Sequence, residues 1–78
     1  MKRLNGFAKS RADAAAKGLS PGARVRWSAL GRATFALPDP HVTGTYLDPS
    51  TVAGFGNVRW DGRHAVAVVD LSFIERAP

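Results

Sequence analysis

The 78-residue chain contains no cysteine, so neither a disulfide nor a thiolate-bound metal stabilises it. Long hydrophobic runs are also absent: the longest, residues 65–69, is far shorter than the roughly 18 residues that indicate a membrane span. Lys9 interrupts the apolar residues that follow the positive N-terminus, and this excludes the apolar segment of a secretory signal. We therefore expect a cytoplasmic protein with no membrane contact.

Few residues suit catalysis or metal binding. The only histidines are His41 and His64, and no pattern places them beside each other or beside a carboxylate. Most carboxylates have an ordinary structural explanation, because they lie beside turn residues or at strand ends: Asp39, Asp48, Asp61 and Asp70. A general acid and base would need a desolvated carboxylate close to a second titratable group. The sequence therefore predicts no catalytic residue, no metal site and no cofactor.

Positive charge is concentrated at the N-terminus. The net charge is +5, and residues 1–17 hold five lysines and arginines against one aspartate. The remaining residues are nearly balanced, with six arginines against five carboxylates. A basic arm on a nearly neutral body indicates contact with a polyanion, although such an arm also serves solubility alone.

The chain divides into a basic leader, residues 1–20, and a β-rich domain, residues 21–78. In the leader, Asn5 is a suitable N-cap and several alanines favour a helix over residues 5–17. Gly18 suits the position after the helix, and Pro21 prevents its continuation. A helix this short is marginal alone, so we expect it to be docked or partly disordered.

Alternation of apolar and polar residues predicts five short strands after the leader. They cover residues 24–27, 42–47, 57–60, 65–69 and 74–76, with a 3₁₀ turn at 71–73. The Asp61-Gly62 pair predicts a type I′ hairpin between the third and fourth strands. The fold class predicted is all-β, a small five-stranded SH3-like barrel. Its predicted core consists of Val25, Trp27, Tyr46, Val58, Trp60, Val66, Val68, Leu71 and Ile74.

Four segments carry a resemblance to a group of short bacterial and phage proteins without an assigned activity. They are residues 24–32 (RVRWSALGR), 43–45 (TGT), 58–62 (VRWDG) and 73–75 (FIE). The resemblance covers roughly residues 22–76. It implies an SH3-like barrel encoded by a phage or another mobile element.

A second, more distant resemblance is to the plasmid-borne, trimethoprim-resistant (type II) dihydrofolate reductase, a small SH3-like barrel that assembles as a tetramer. Gly22, residues 24–26 (RVR) and residues 74–76 (IER) are similar to that family. Its active-site motif is Val-Gln-Ile-Tyr, and residues 66–69 here read VAVV. Ala67 and Val69 replace both polar residues, so the resemblance supports the fold and argues against reductase activity.

Arginines supply the best candidate binding surface. Arg24 and Arg26 point the same way on the first strand, and Arg59 points outward on the third. If these strands share a face, the three guanidinium groups form a stripe suited to phosphate contacts. The predicted nucleic-acid-binding residues are Arg24, Arg26, Arg32, Arg59 and Arg63, with Lys9 and Arg11 from the leader. Pairing of these arginines with Asp61, Asp70 or Glu75 is the alternative.

The long loop from Ser28 to His41 is a second candidate surface, because a dozen loop residues in so small a domain are more often functional than a short loop is. The predicted contact residues are Phe35, Leu37, Tyr46 and Phe55. We therefore expect a non-enzymatic module that binds nucleic acid. The alternatives are a module that binds a host protein through this loop and a reductase-like homo-oligomer. Self-association is a further expectation for a small domain that has neither disulfides nor a structural metal.

Overall fold

The structure is a computed structural model, and it describes residues 5–78. The basic residues Lys2 and Arg3 of the predicted leader lie outside the described residues. The elements are α1 Gly6–Ala16, β1 Arg24–Trp27, α2 Ala29–Thr34, β2 Thr43–Pro49, β3 Phe55–Trp60, β4 Ala67–Asp70, η1 Leu71–Phe73 and β5 Ile74–Arg76. Within the described range, no helix has both the length and the apolar character needed to cross a membrane.

Helix α1 begins and ends at the predicted signals. The Asn5 side chain accepts a hydrogen bond from the Ala8 N–H at 2.7 Å, which satisfies one of the free amides of the first turn. Gly18 has φ +73°, a left-handed conformation. Helices often end in this conformation, and glycine adopts it more easily than other residues. The predicted short helix is therefore confirmed.

The helix is docked on the β-rich part of the chain. The hydroxyl of Ser10 is fully buried, donates to the Val52 carbonyl at 2.8 Å and accepts the Gly54 N–H at 3.1 Å. The ammonium of Lys17 donates to the carbonyls of Leu71 and Ile74. These bonds join the middle of α1 to the loop before β3 and its C-terminal end to η1 and β5.

All five strands belong to one antiparallel sheet with the order β4-β3-β2-β1-β5. Strand β2 is longer than predicted: it reaches Pro49, which is paired with Gly56, after a register shift between Tyr46 and Asp48. Strands β4 and β5 form the two edges of the hydrogen-bonded order. The chain is thus a strand-rich fold with one antiparallel sheet and a short N-terminal helix.

The predicted type I′ turn at Asp61-Gly62 is wrong. Gly62 has φ +82°, but no residue other than glycine has a positive φ in the described chain, so Asp61 does not meet the type I′ requirement. The Arg63 N–H donates to the Trp60 carbonyl at 3.0 Å, which closes a four-residue turn with positive φ only at its third position. The connection between β3 and β4 then continues through residue 66.

The core confirms most of the predicted residues and adds two from the N-terminal segment. The buried apolar residues are Ala14, Leu19, Val25, Tyr46, Val58, Trp60, Val69, Leu71 and Ile74. Trp27 is only partly buried and packs against this cluster. Two assignments were wrong: Val66 and Val68 are exposed, whereas Val69 is buried. Strand β4 therefore has the opposite phase to the one predicted.

Candidate binding surfaces

Three of the predicted arginines lie on the sheet face that points away from the core. Val25 alternates with Arg24 and Arg26 on β1, and Val25 is the residue that is buried. In the register of the sheet, Arg24 is opposite Thr45, and Thr45 is opposite Arg59. The geometric condition for a shared stripe across β1, β2 and β3 is therefore met.

Arg24 is held within the molecule through both of its Nη atoms. Its two Nη atoms bind both oxygens of Asp61, with Nη1 at 3.0 Å from Oδ1, and the hydroxyls of Thr45 and Thr43 at 2.8 and 2.9 Å. The hydrogen bond to Asp61 raises the pKa of the Arg24 guanidinium. The same bond, with a second one from Thr43, lowers the pKa of the Asp61 carboxyl. Such bidentate pairing is the strong form of an arginine–carboxylate contact.

The other arginines differ in how far they are neutralised. Arg26 binds Glu75 on β5, with Nε at 2.8 Å and Nη2 at 2.7 Å from Oε2. Arg32, on α2, donates from Nη1 to the Trp27 carbonyl at 2.7 Å, which holds the side chain without cancelling its charge. Arg59 is exposed and has no ion pair among the described residues. We call Arg24, Arg26, Arg32 and Arg59 the arginine band.

Lys9 and Arg11 of the leader lie on the other side of the sheet from the arginine band. Ala14 places one face of α1 in the core, whereas the arginine band lies on the face that points away from the core. On α1, Lys9 is paired with Asp13 at 2.7 Å and Arg11 is exposed. The structure therefore does not bring Lys9 and Arg11 onto the arginine band.

A groove of about 390 Å³ lies between the loop 28–42 and the loop 61–66. Its principal feature is a stacked pair of indoles, Trp27 and Trp60, with ring centroids 4.7 Å apart and planes inclined by 17°. We call it the indole groove. It is lined by Trp27, Leu37, Pro38, Asp39, Val42, Trp60, Asp61, Arg63, Ala65, Val66 and Ala67.

Aromatic packing holds the long loop in place. The ring of Phe35 lies 5.9 Å from that of Trp27 and 5.0 Å from that of Phe73, the latter in an edge-to-face arrangement. Helix α2, which lies within the predicted long loop, approaches η1 through Gly31, where a Cβ atom would lie 2.4 Å from the Phe73 carbonyl oxygen. The loop is therefore a packed wall of the groove.

The predicted loop contact residues do not form one surface. Leu37 lines the indole groove and Phe35 is 43% exposed beside Trp27. Phe55 is half-buried at the start of β3. Tyr46 is a correction, because only 1% of it is exposed and it belongs to the core. Burial, with a smaller effect of the Asp48 carboxylate, raises the pKa of its hydroxyl.

A second cleft, of about 420 Å³, lies between β1, α2 and the C-terminal residues of the chain, with Thr43 in its lining. Its lining residues are Arg26, Arg32, Pro40, His41, Thr43, Ala77 and Pro78. The Thr43 hydroxyl also donates to Oδ2 of Asp61, at 2.7 Å. Asp61 in turn lines the indole groove. The arginine band thus runs beside both depressions.

Sequence reasoning missed the indole groove because it assigned both tryptophans to the core. Within residues 5–78, no three histidine or acidic side chains form a group able to hold a metal ion. Comparisons of the chain with protein-family models, with curated proteins and with solved structures find no match.

Proposed function

We propose that the chain is an SH3-like barrel that binds single-stranded nucleic acid. The strand order β4-β3-β2-β1-β5, with a 3₁₀ turn before the last strand, supports the barrel, which requires β4 and β5 to approach each other around the core. The observation that carries the binding role is the arginine band: Arg24, Arg26 and Arg59 share the outer sheet face, and Arg32 of α2 lines the cleft beside Arg26.

The unpaired members of the band provide the phosphate contacts in this proposal. Arg59 and Arg32 have no carboxylate partner among the described residues. Glu75 engages Nε and Nη2 of Arg26, and this leaves Nη1 free to donate to a phosphate oxygen. Arg24 has a different role. Its hydrogen bonds hold the side chains of Thr43, Thr45 and Asp61 in place beneath the bound nucleic acid.

The indole groove provides the stacking surface for a base. Bases stack on aromatic rings with little regard for sequence, and each such contact contributes about 1–3 kcal/mol. Asp61 connects the two parts, because it lines the groove and binds Arg24. A single strand can therefore place its phosphates on the arginine band and one base against the tryptophans.

Calorimetric titration of a 12-nucleotide single strand at several salt concentrations tests the proposal. Affinity should fall steeply with salt, and Arg59→Ala should weaken binding and lower the slope of log K against log salt by about one. The matched control is Arg11→Ala, which removes an exposed arginine from α1. Equal losses for both variants, or no binding at low salt, would contradict the proposal.

A second function is favoured by the apolar lining of the indole groove. Beside the two indoles, the groove is lined by Leu37, Pro38 and Val42. Aromatic grooves of this kind bind extended protein segments. A partner protein held there would bind with weak salt dependence. Leu37→Ala would then reduce affinity, whereas Arg59→Ala would not.

A reductase-like function has less support. At the positions that match the reductase motif, Ala67 is partly buried and Val69 is 8% exposed, so neither offers a polar group to a ligand. An assay with dihydrofolate and reduced nicotinamide cofactor should show no turnover.

A further inference from the structure

Arg32 is held next to Arg26 by a contact with the backbone. Its Nη1 donates to the carbonyl of Trp27 at 2.7 Å, and Trp27 follows Arg26 on β1. The two arginines come from different elements, and both line the cleft of about 420 Å³. This volume lies within the range of roughly 300–1,000 Å³ that is usual for small-ligand sites.

Each of these arginines keeps hydrogen-bond donors for a ligand. Glu75 engages Nε and Nη2 of Arg26, and Nη1 has no partner among the described residues. The Trp27 carbonyl engages only Nη1 of Arg32, so Nε and Nη2 remain. Glu75 is the one carboxylate of residues 5–78 that pairs with either arginine, and it does not line the cleft. The cleft therefore offers both positive charge and donors to an anion.

Backbone contacts hold the remaining walls of the cleft in place. The Asp39 side chain accepts the His41 N–H at 3.2 Å, and Pro40 stiffens the segment between them. The Ala77 N–H donates to the Arg24 carbonyl at 2.8 Å, which continues the pairing of β5 with β1. The imidazole of His41 adds a further donor to the lining. A ligand thus meets walls that are already formed.

We propose that this cleft holds the terminal phosphate of a bound nucleic-acid strand, an inference that rests on the proposed function. A phosphate within a strand carries one negative charge and has a sugar on both sides. A terminal phosphate monoester has a sugar on one side only and carries a charge of about −1.5 to −2 near pH 7. It can therefore enter a walled cleft end-on and accept hydrogen bonds from both arginines. Arg59, on the open sheet face, then contacts a phosphate further along the strand.

Calorimetric titration of three 12-nucleotide strands of one sequence tests the inference. One strand carries a 5′-phosphate, one a 3′-phosphate and one hydroxyls at both ends. At least one phosphorylated strand should bind about tenfold more tightly than the hydroxyl strand, since one charge-assisted hydrogen bond contributes about this much. Equal affinities for all three strands would overturn the inference and leave the proposed function standing. No binding of any strand at low salt would overturn both.

Two variants with the same change of charge assign the effect to the cleft. Arg32→Gln should abolish the preference for the phosphorylated strand. The matched control is Arg59→Gln, at an exposed arginine outside the cleft. It should weaken the binding of all three strands by the same factor and leave the preference unchanged. A preference that survives in Arg32→Gln, or that both variants reduce equally, would refute the placement of the phosphate.

Inorganic phosphate provides a test on the wild-type protein without nucleic acid. In an NMR titration at constant ionic strength, phosphate should shift the Nε–H signal of Arg32 and the amide signal of His41 in a saturable manner. The Nε–H signal of Arg63, an exposed arginine that lines the indole groove, should not move. Small, unsaturated shifts spread over all arginines would indicate an adventitious ion only and would overturn the inference.

Discussion

The guanidinium of Arg24, on β1, binds the carboxylate of Asp61, which follows β3, across the full width of β2. Both side chains are about half exposed, and the Thr43 hydroxyl of the intervening strand donates to the same carboxylate at 2.7 Å. The contact therefore fixes the start of the loop 61–66 relative to β1. Since that loop forms one wall of the indole groove, Arg24 acts as a positioning residue for the groove.

This relationship predicts a pH dependence. The folded-state pKa of Asp61 lies below its ordinary value of 3.8, so its ion pair stabilises the fold throughout the neutral range. The contribution is lost only as the pH falls below 3.8 and through the folded-state pKa. In Arg24→Ala, an NMR titration of the Asp61 carboxyl carbon should show the pKa moving upward, because the larger of the two stabilising hydrogen bonds is gone.

Thr43→Val is the matched control for this titration. It removes only the second hydrogen bond to Asp61, so the upward movement of the pKa should be smaller than in Arg24→Ala. An Asp61 pKa that does not change in Arg24→Ala would mean that the ion pair does not form in solution.

A second prediction tests the phase of β4. Val69→Ala removes about two buried methylene equivalents and should lower the free energy of unfolding by about 2 kcal/mol. Val68→Ala, at an exposed position of the same strand, should change it by less than about 0.5 kcal/mol under dilute, monomeric conditions. Urea unfolding measures both. The reverse order would show that the strand has the phase expected from sequence.

A third prediction concerns the attachment of α1. Ser10→Ala leaves the Gly54 N–H and the Val52 carbonyl without their partner in a partly buried site. We expect a loss of about 1–3 kcal/mol, the usual effect of an unsatisfied buried polar group. The exposed Ser20→Ala serves as the control and should have almost no effect. Equal unfolding midpoints for the two variants would indicate that α1 is not docked.

A fourth prediction tests the packing of the long loop on η1. Gly31→Ala brings a Cβ against the Phe73 carbonyl, a backbone group that moves only with η1. Overpacking of this kind usually lowers stability by about 1–3 kcal/mol. Ala33→Ser, at an exposed position of the same helix, should change stability by about 0.5 kcal/mol or less. Denaturant unfolding of the two variants provides the comparison.

Local signals predicted the elements of this fold well. Asn5 and Gly18 marked the ends of α1, and alternation located β1 and much of β3. The phase of β4 was not predictable, because residues 65–69 are apolar at every position and alternation has no polar residue to set it. The phase of β4 is set instead by the burial of Val69 in the core cluster that also contains Leu71 and Ile74, which only the tertiary structure provides.

The candidate site was predictable only in part. A shared face for Arg24, Arg26 and Arg59 follows from the period of a strand, and the register bears out that placement. The indole groove depends on a contact between Trp27 and Trp60, residues that are distant in sequence and that each read as ordinary core positions. No local pattern reports that two such rings stack beside an opening.

The stacking of Trp27 on Trp60 has a practical consequence, because the chain contains no other tryptophan. All indole emission, and the strongest near-ultraviolet circular dichroism, must arise from one pair of coupled rings at the groove. The unmodified protein therefore carries its own optical probe, and a ligand that enters the groove will change that signal, whereas one that binds only the far side of α1 will not.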